Sequence, residues 1–208
     1  MPNILVLSLS CKKNSTLWPK LIGLGIHDHV ILCGGAEKTE LVGKILYLKC
    51  CDTYDGLSEK MLKAIDFILN CDQFSHITHI LKADDHDTQI SSSQISQISY
   101  KYKKELENYH YIGQLLFPTL RYPRHHFGKV PIDSVWHNKE FRPKKTSSYL
   151  GGGETYILSR VALLYINQPE NKEYYMEYLY EDVMMGVLMD KYSIRPYKVN
   201  YGIKTWRG

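Results

Sequence analysis

The sequence predicts one α/β domain, an open sheet with helices on its faces. Three observations carry this: short apolar runs, one helical repeat, and an acidic cluster directly behind a strand. Residues 3–10 (NILVLSLS) form the first apolar run, residues 29–33 (HVILC) the second, stopped by Gly34-Gly35, and residues 44–48 (KILYL) the third; each reads as a core strand. Between Asp55 and Cys71 the apolar residues Leu57, Met61, Ala64, Ile65 and Ile68 recur at three- and four-residue steps, which places them on one face of a helix. Residues 78–83 return to a strand and run straight into Asp84-Asp85-His86-Asp87. In an open sheet of this grammar ligands gather at the carboxyl ends of strands, so the acidic cluster stands where a site is expected. The Ser/Gln/Ile-rich residues 91–99 read as a loop or a helix start, and the chain shows no internal repeat.

Composition narrows the class. A chain of 208 residues, 44% hydrophobic and 23% charged, can bury a full core as a single domain. Its 26 Lys+Arg against 22 Asp+Glu leave a formal net charge of +4, too mild for a dedicated nucleic-acid binder and better suited to an anionic small substrate. The cysteines at 11, 33, 50, 51 and 71 are odd in number and form no CxxC pair, which points to reduced thiols and away from a disulfide framework or a zinc ribbon. No stretch approaches the roughly 20 apolar residues of a membrane span, and the first apolar run lacks a basic leader. The expectation is a soluble, cytoplasmic protein without a nucleic-acid partner; the sequence does not set its oligomeric state.

Three carboxylates within four residues repel one another, and a hard divalent cation such as Mg2+ or Mn2+ is the natural counter-charge. Such an ion would bridge a carboxylate to the oxygens of a diphosphate. Taken alone the cluster is equally a solvated acidic turn. Gly151-Gly152-Gly153 permits close backbone approach, and taken alone is equally a flexible loop. Glu181-Asp182 fits the acidic first turn of a helix starting near Val183. Arg121, Arg124, His125, His126 and Lys129 form the most basic stretch, suited to phosphate or acceptor or simply solvated. Trp136 and Trp206 fit either sugar stacking or the core.

Four blocks in order give context: residues 51–63 (CDTYDGLSEKMLK), 82–88 (KADDHDT), 149–160 (YLGGGETYILSR) and 181–183 (EDV). Together they resemble the inverting β1,3-glycosyltransferases related to galactosyltransferases and fringe, over roughly residues 45–190. The resemblance implies a GT-A fold with a mixed sheet, a donor-binding half over about residues 1–90 and an acceptor and catalytic half over about 91–208. It also implies a nucleoside-diphosphate sugar donor, usually a UDP-sugar, a glycan or glycoprotein acceptor, a diphosphate-bound Mn2+ or Mg2+, and displacement with inversion. Carried over residue by residue, Asp182 becomes the base that takes the acceptor proton, and Glu181 beside it binds donor or acceptor or favours the helix end. Gly151, Gly152 and Gly153 let the donor sugar or acceptor lie against the main chain, with Glu154 meeting a sugar hydroxyl. Asp52 and Tyr54 cap and pack the following helix.

Two departures matter. His86 interrupts the family's three aspartates, which leaves two registers. Anchoring on Thr88 makes Asp85 and Asp87 the metal pair, with Asp84 facing the ribose or a nearby cation; anchoring on Lys82 puts His86 at the ligand position. The first register is preferred because imidazole is a softer ligand than Mg2+ or Mn2+ favours. Many family members also use a C-terminal histidine as a metal ligand, and none follows His137 here. Rival readings are an inactive carbohydrate- or nucleotide-binding module, a sugar nucleotidyltransferase, and a metal-dependent phosphatase or nuclease. Residues 7–10 carry no acid of the phosphatase kind, and residues 8–13 are not a glycine-rich nucleotidyltransferase loop.

Overall fold

A computed structural model describes residues 1–85, 88–120 and 122–205. Of the residues singled out above, His86, Asp87, Arg121 and Trp206 lie outside them, as does the side chain of Glu154.

The predicted runs become strands β1 (Ile4–Leu9), β2 (His29–Cys33) and β4 (Ile45–Tyr47), with a short helix α1 (Trp18–Ile22) after β1 and a short strand β3 (Glu40–Val42) before β4. The periodic segment forms α2 (Leu57–Asn70), whose Met61, Ala64, Ile65 and Ile68 are fully buried. Strand β5 (His79–Asp84) follows, then β6 (Thr88–Gln89). Residues 91–99, left open between loop and helix start, belong to α3 (Ser92–Lys101). Its start is fixed by a capping box: Ser91 Oγ accepts from Gln94 N, and the Gln94 side chain accepts from Ser91 N. The chain continues through α4 (Lys103–Asn108), β7 (Tyr111–Gly113), β8 (Leu116–Phe117), β9 (Tyr149–Leu150), β10 (Tyr156–Ser159) and α5 (Arg160–Ile166). The acidic pair opens α6 (Glu181–Lys191), and β11 (Tyr197–Lys198) and β12 (Lys204–Thr205) follow.

Eight strands form one mixed sheet in the order β11-β7-β10-β5-β1-β2-β4-β3. β5, β1, β2 and β4 are parallel neighbours, whereas β10 runs antiparallel to both β5 and β7. Every residue of β1 and β2 is buried, as expected of parallel strands covered on both faces. Leu5, Leu7 and Leu9 pack with α2, α5 and α6; Ile4 and Val6 point to the other face, among residues of α3, α4 and the C-terminal segment. The result is an α/β domain of GT-A type. No helix among the described residues is long and apolar enough to cross a membrane.

Candidate functional site

The chain leaves β1 toward β2 and returns to β5 on the opposite side of β1, so the carboxyl ends of β1 and β5 flank a topological switch point. Their register pairs Leu9 with Asp84, which brings the next residues, Ser10 and Asp85, together. Asp85 N donates to Leu9 O at 3.1 Å. Its Oδ2 accepts from Ser10 Oγ at 2.6 Å and from Asn14 Nδ2 at 3.0 Å, and Trp18 Nε1 donates to Ser10 Oγ at 2.8 Å. An indole N–H only donates, so the Ser10 proton is turned toward Asp85, and the carboxylate, 7% exposed, is held as an acceptor.

A second node gathers around Lys82, which lies opposite Tyr156 across β5 and β10. Lys82 Nζ is 2% exposed; it donates to Asp84 Oδ1 at 2.6 Å and to Gly152 O at 2.9 Å, and lies 3.6 Å from Glu181 Oε2. Tyr156 donates its hydroxyl to Glu181 Oε1. Asp182 is half-buried at the cavity wall, where Oδ2 accepts from Gly152 N at 3.0 Å and Oδ1 from Val183 N at 2.8 Å. Two carboxylates, Asp84 and Glu181, thus share one ammonium, and Asp182 hangs from the Gly152 whose carbonyl that ammonium also holds. Burial pushes Glu181 up to about 8 against the pull of Lys82, and Asp182 and Asp84 add to the rise. Burial also raises Asp182, opposed by the Gly152 N–H and by Lys82. The surrounding acids hold Lys82 protonated despite its burial.

On the other side of the β1 end, Lys60 is fully buried. Its Nζ donates to Ser10 O at 2.5 Å and to Asp52 Oδ1 at 2.8 Å. Asp52 also accepts from Gly34 N and Lys12 N, each at 2.7 Å. Asp52 is therefore structural but does not cap α2, whose N-cap is Gly56 with no side-chain cap bond. Its carboxylate is drawn off to tie the ends of β1 and β2 to the helix through Lys60.

These nodes border a cavity of about 1190 Å³, above the ~300–1,000 Å³ usual for small-molecule sites. One wall is the pair of strand ends and the glycine run. The opposite wall comes from the long connection after β8, through Leu120, Tyr122, His125, Lys129, Val130 and Pro131. That connection is pinned by His126, fully buried, whose Nε2 faces the carbonyls of Lys139 at 2.7 Å and Trp136 at 3.1 Å. Nε2 must then carry the proton, and Nδ1 accepts from the Tyr180 hydroxyl at 2.7 Å, next to the acidic pair. Trp136 packs edge-on to Phe141 against the core.

Asp84, Asp85, Gly151, Gly152, Gly153, Glu181 and Asp182 all line this cavity. The three glycines differ in what they approach. A Cβ on Gly151 would come within 2.8 Å of Phe117 Cε2, and one on Gly152 within 2.9 Å of Lys82 Nζ and 3.1 Å of Glu181 Oε2. Gly153 faces open space, its nearest neighbour being Asp84 Oδ2 at 3.9 Å. Two glycines therefore make room for the protein's own packing, and a side chain at the third would meet only Asp84 at ordinary contact distance. Past them Thr155, fully buried, adopts φ 77°, a strained conformation for a β-branched residue. The Tyr201 hydroxyl holds it, 2.9 Å from Thr155 Oγ1 and donating to Thr155 O at 3.2 Å.

Ser10, Asn14, Trp18, Lys60 and Tyr156 were not singled out from the sequence for the site. Only Lys60, which lies inside the 51–63 block eight residues after Asp52, carried a signal. The strand-end donors are hard carboxylate oxygens, the chemistry that suits Mg2+ or Mn2+. Among the described residues no group of three or more His, Cys, Asp or Glu side chains is placed to hold a metal.

No curated protein matches the chain. A family model described as Galactosyltransferase matches residues 20–200, from α1 through β11. With that match over most of its length, on a GT-A-type sheet with acidic side chains lining the cavity at the switch point, the chain belongs to the galactosyltransferase family and is a glycosyltransferase.

Proposed function

We propose that the chain transfers a sugar from a nucleoside-diphosphate sugar, of the UDP class, to a hydroxyl of a glycan or glycoprotein, with inversion. The observation that carries this reading is Asp182: a cavity-facing carboxylate fixed by two backbone N–H groups and raised by burial toward the range of a working base. Asp182 takes the proton from the attacking acceptor hydroxyl. Glu181, buried on Tyr156 and Lys82, keeps the first turn of α6 in place, and Lys82 fixes Asp84 and the Gly152 carbonyl on the donor side. Asp85 and Asp87 are the residues that would hold Mn2+ or Mg2+, with Glu154 meeting a sugar hydroxyl. When bound, the ion supplies charge neutralisation for the leaving diphosphate.

The test combines a panel of UDP- and GDP-sugars, with Mn2+ or EDTA, and Asp182→Asn. Wild type is expected to form a product of inverted anomeric configuration, only with metal. Asp182→Asn is expected to lose kcat on the order of 10²–10⁴-fold. Asparagine has one acceptor for the two N–H groups that Asp182 satisfies, so a stability loss of about 1–3 kcal/mol accompanies the change. Donor affinity, measured separately by calorimetry on the folded protein, stays. Retained configuration, or near-normal kcat in Asp182→Asn, removes Asp182 from the chemistry.

A further inference from the structure

The connection over residues 118–147 contains seven Lys/Arg and only two acids, Asp133 and Glu140, an excess larger than the +4 of the entire chain. Glu140 pairs with both Arg124 at 2.6 Å and Arg142 at 2.8 Å, one acid between two guanidinium groups, and Lys145 pairs with Asp190 at 3.2 Å, so the outward excess is carried chiefly by the remaining lysines and arginines. The same segment exposes large apolar side chains: Ile132 at 85%, Val135 at 74%, Tyr122 at 51% and Phe127 at 37%. These are not the by-product of a loose loop. Phe141 and His126 anchor the segment in the interior, Phe141 N donates to Pro123 O at 2.9 Å, and Ser134 Oγ donates to Asp55 Oδ2 at 2.6 Å. Ile132 and Val135 hold the same place in two consecutive turns, closed by Ser134 N to Pro131 O and His137 N to Ser134 O, and both are exposed there. Pro131, beside Ile132, lines the cavity, so this surface lies at its rim.

We infer that residues 118–147 form a docking surface for an anionic lipid bilayer. Basic side chains interleaved with exposed aliphatic and aromatic ones match such a surface on both counts. The lysines and arginines meet the lipid headgroups, and the apolar side chains enter the headgroup and acyl boundary. A polyanion such as a nucleic acid would use the charges and leave Ile132 and Val135 without a partner. Docking by this face sets the cavity mouth against the membrane, where an acceptor hydroxyl borne on a membrane-anchored molecule is presented to Asp182. That last consequence rests on the transferase reading above; the docking does not.

The experiment is co-sedimentation of the full chain with vesicles of phosphatidylcholine alone or with about 30% phosphatidylserine, in low and high salt. Binding to the anionic vesicles, lost on neutral ones and weakened by salt, is expected. Ile132→Ser with Val135→Ser should weaken it at least ~tenfold, and Lys139→Glu with Lys144→Glu by ~25-fold or more. The melting temperature and UDP affinity of both variants should stay at wild-type values, since none of these residues lines the cavity. Equal recovery with both vesicle types, or no recovery, overturns the proposal. So does tight binding of a single-stranded oligonucleotide combined with vesicle binding that the Ile132/Val135 change leaves intact. The readout needs no turnover, so a failed transferase assay and a failed docking assay remain distinct results.

Discussion

Two buried lysines stand on either side of the switch point, and they do different work. Lys60 faces one carboxylate, Asp52, whose oxygens are also occupied by the N–H groups of Gly34 and Lys12. Charges there balance one to one and every bond runs to backbone or between fixed elements, so the node is a rivet joining the ends of β1 and β2 to α2. Lys82 faces Asp84 and Glu181, with Asp182 hung from the same Gly152 whose carbonyl it grips. Negative charge exceeds positive, two acids are raised, and the surplus borders the cavity. A balanced buried pair is structure. An unbalanced one, with its surplus open to a ligand, is where proton chemistry is available.

The largest expected effect comes from removing each cation in turn. Lys82→Met should cost about 3–5 kcal/mol in urea unfolding, because Asp84 and the buried Glu181 lose their cation together, and Lys60→Met somewhat less, because Asp52 is 17% exposed and keeps two N–H donors. They should differ in activity. The folded fraction of Lys60→Met keeps kcat within ~tenfold, whereas Lys82→Met loses turnover altogether because Asp84 and Gly152 are released together. Equal kinetic losses would break the distinction between the nodes.

Adding a methyl group sharpens it. Gly152→Ala places a Cβ 2.9 Å from Lys82 Nζ and should cost about 1–3 kcal/mol by overpacking, read as a drop in melting temperature. Gly153→Ala meets nothing closer than 3.9 Å and should leave stability unchanged while raising the donor KM. The opposite pattern would place the ligand at Gly152.

The third prediction uses pH. The unfolded chain releases the Glu181 proton near its ordinary 4.5, whereas the folded chain holds it to about 8. Between those values the folded state binds more protons. The stability this group contributes is therefore full below about 4.5 and lost as pH rises through about 8. Wild type should lose melting temperature relative to Glu181→Gln as pH goes from about 5 to about 8. A difference that is flat with pH would mean that Lys82 keeps Glu181 ionised.

The smallest effect is expected at the strained turn. Tyr201→Phe removes the hydroxyl that holds Thr155 in its positive-φ conformation and should cost about 1–2 kcal/mol, with a modest rise in donor KM. An unchanged melting temperature would show that the sheet alone holds the turn.

Much of this architecture was legible. β1 and β2 are mostly apolar runs because both faces of a parallel strand are covered, and α2 shows its stripe because only one of its faces is. α3 was left open because its Ser/Gln composition hides the pattern, although the Ser91 and Gln94 capping pair was there to be read. Strands β7 to β11 went unassigned because each is only two to four residues long and pairs with partners distant in sequence. Asp84, Asp85, Gly151, Gly152, Gly153, Glu181 and Asp182 were singled out, and all of them line the cavity. The second ring around them was not: Ser10 and Asn14 carry no local pattern that sets them apart from other serines and asparagines, and Tyr156, though inside the 149–160 block, shows no sign there that its hydroxyl meets Glu181.

By itself the sequence determined which segments must be buried and where the acids cluster, because periodicity and adjacency are local properties of the chain. Only the tertiary structure decided which acid meets which cation. Lys82 and Gly152 are 70 residues apart and touch because β10 returns antiparallel beside β5. Asp85 and Ser10 are 75 apart and touch because β1 and β5 end in register. The raised acids follow from those contacts: the shift depends on how much water the fold removes and how many charges it brings within a few ångströms, and neither quantity exists until the strands have paired.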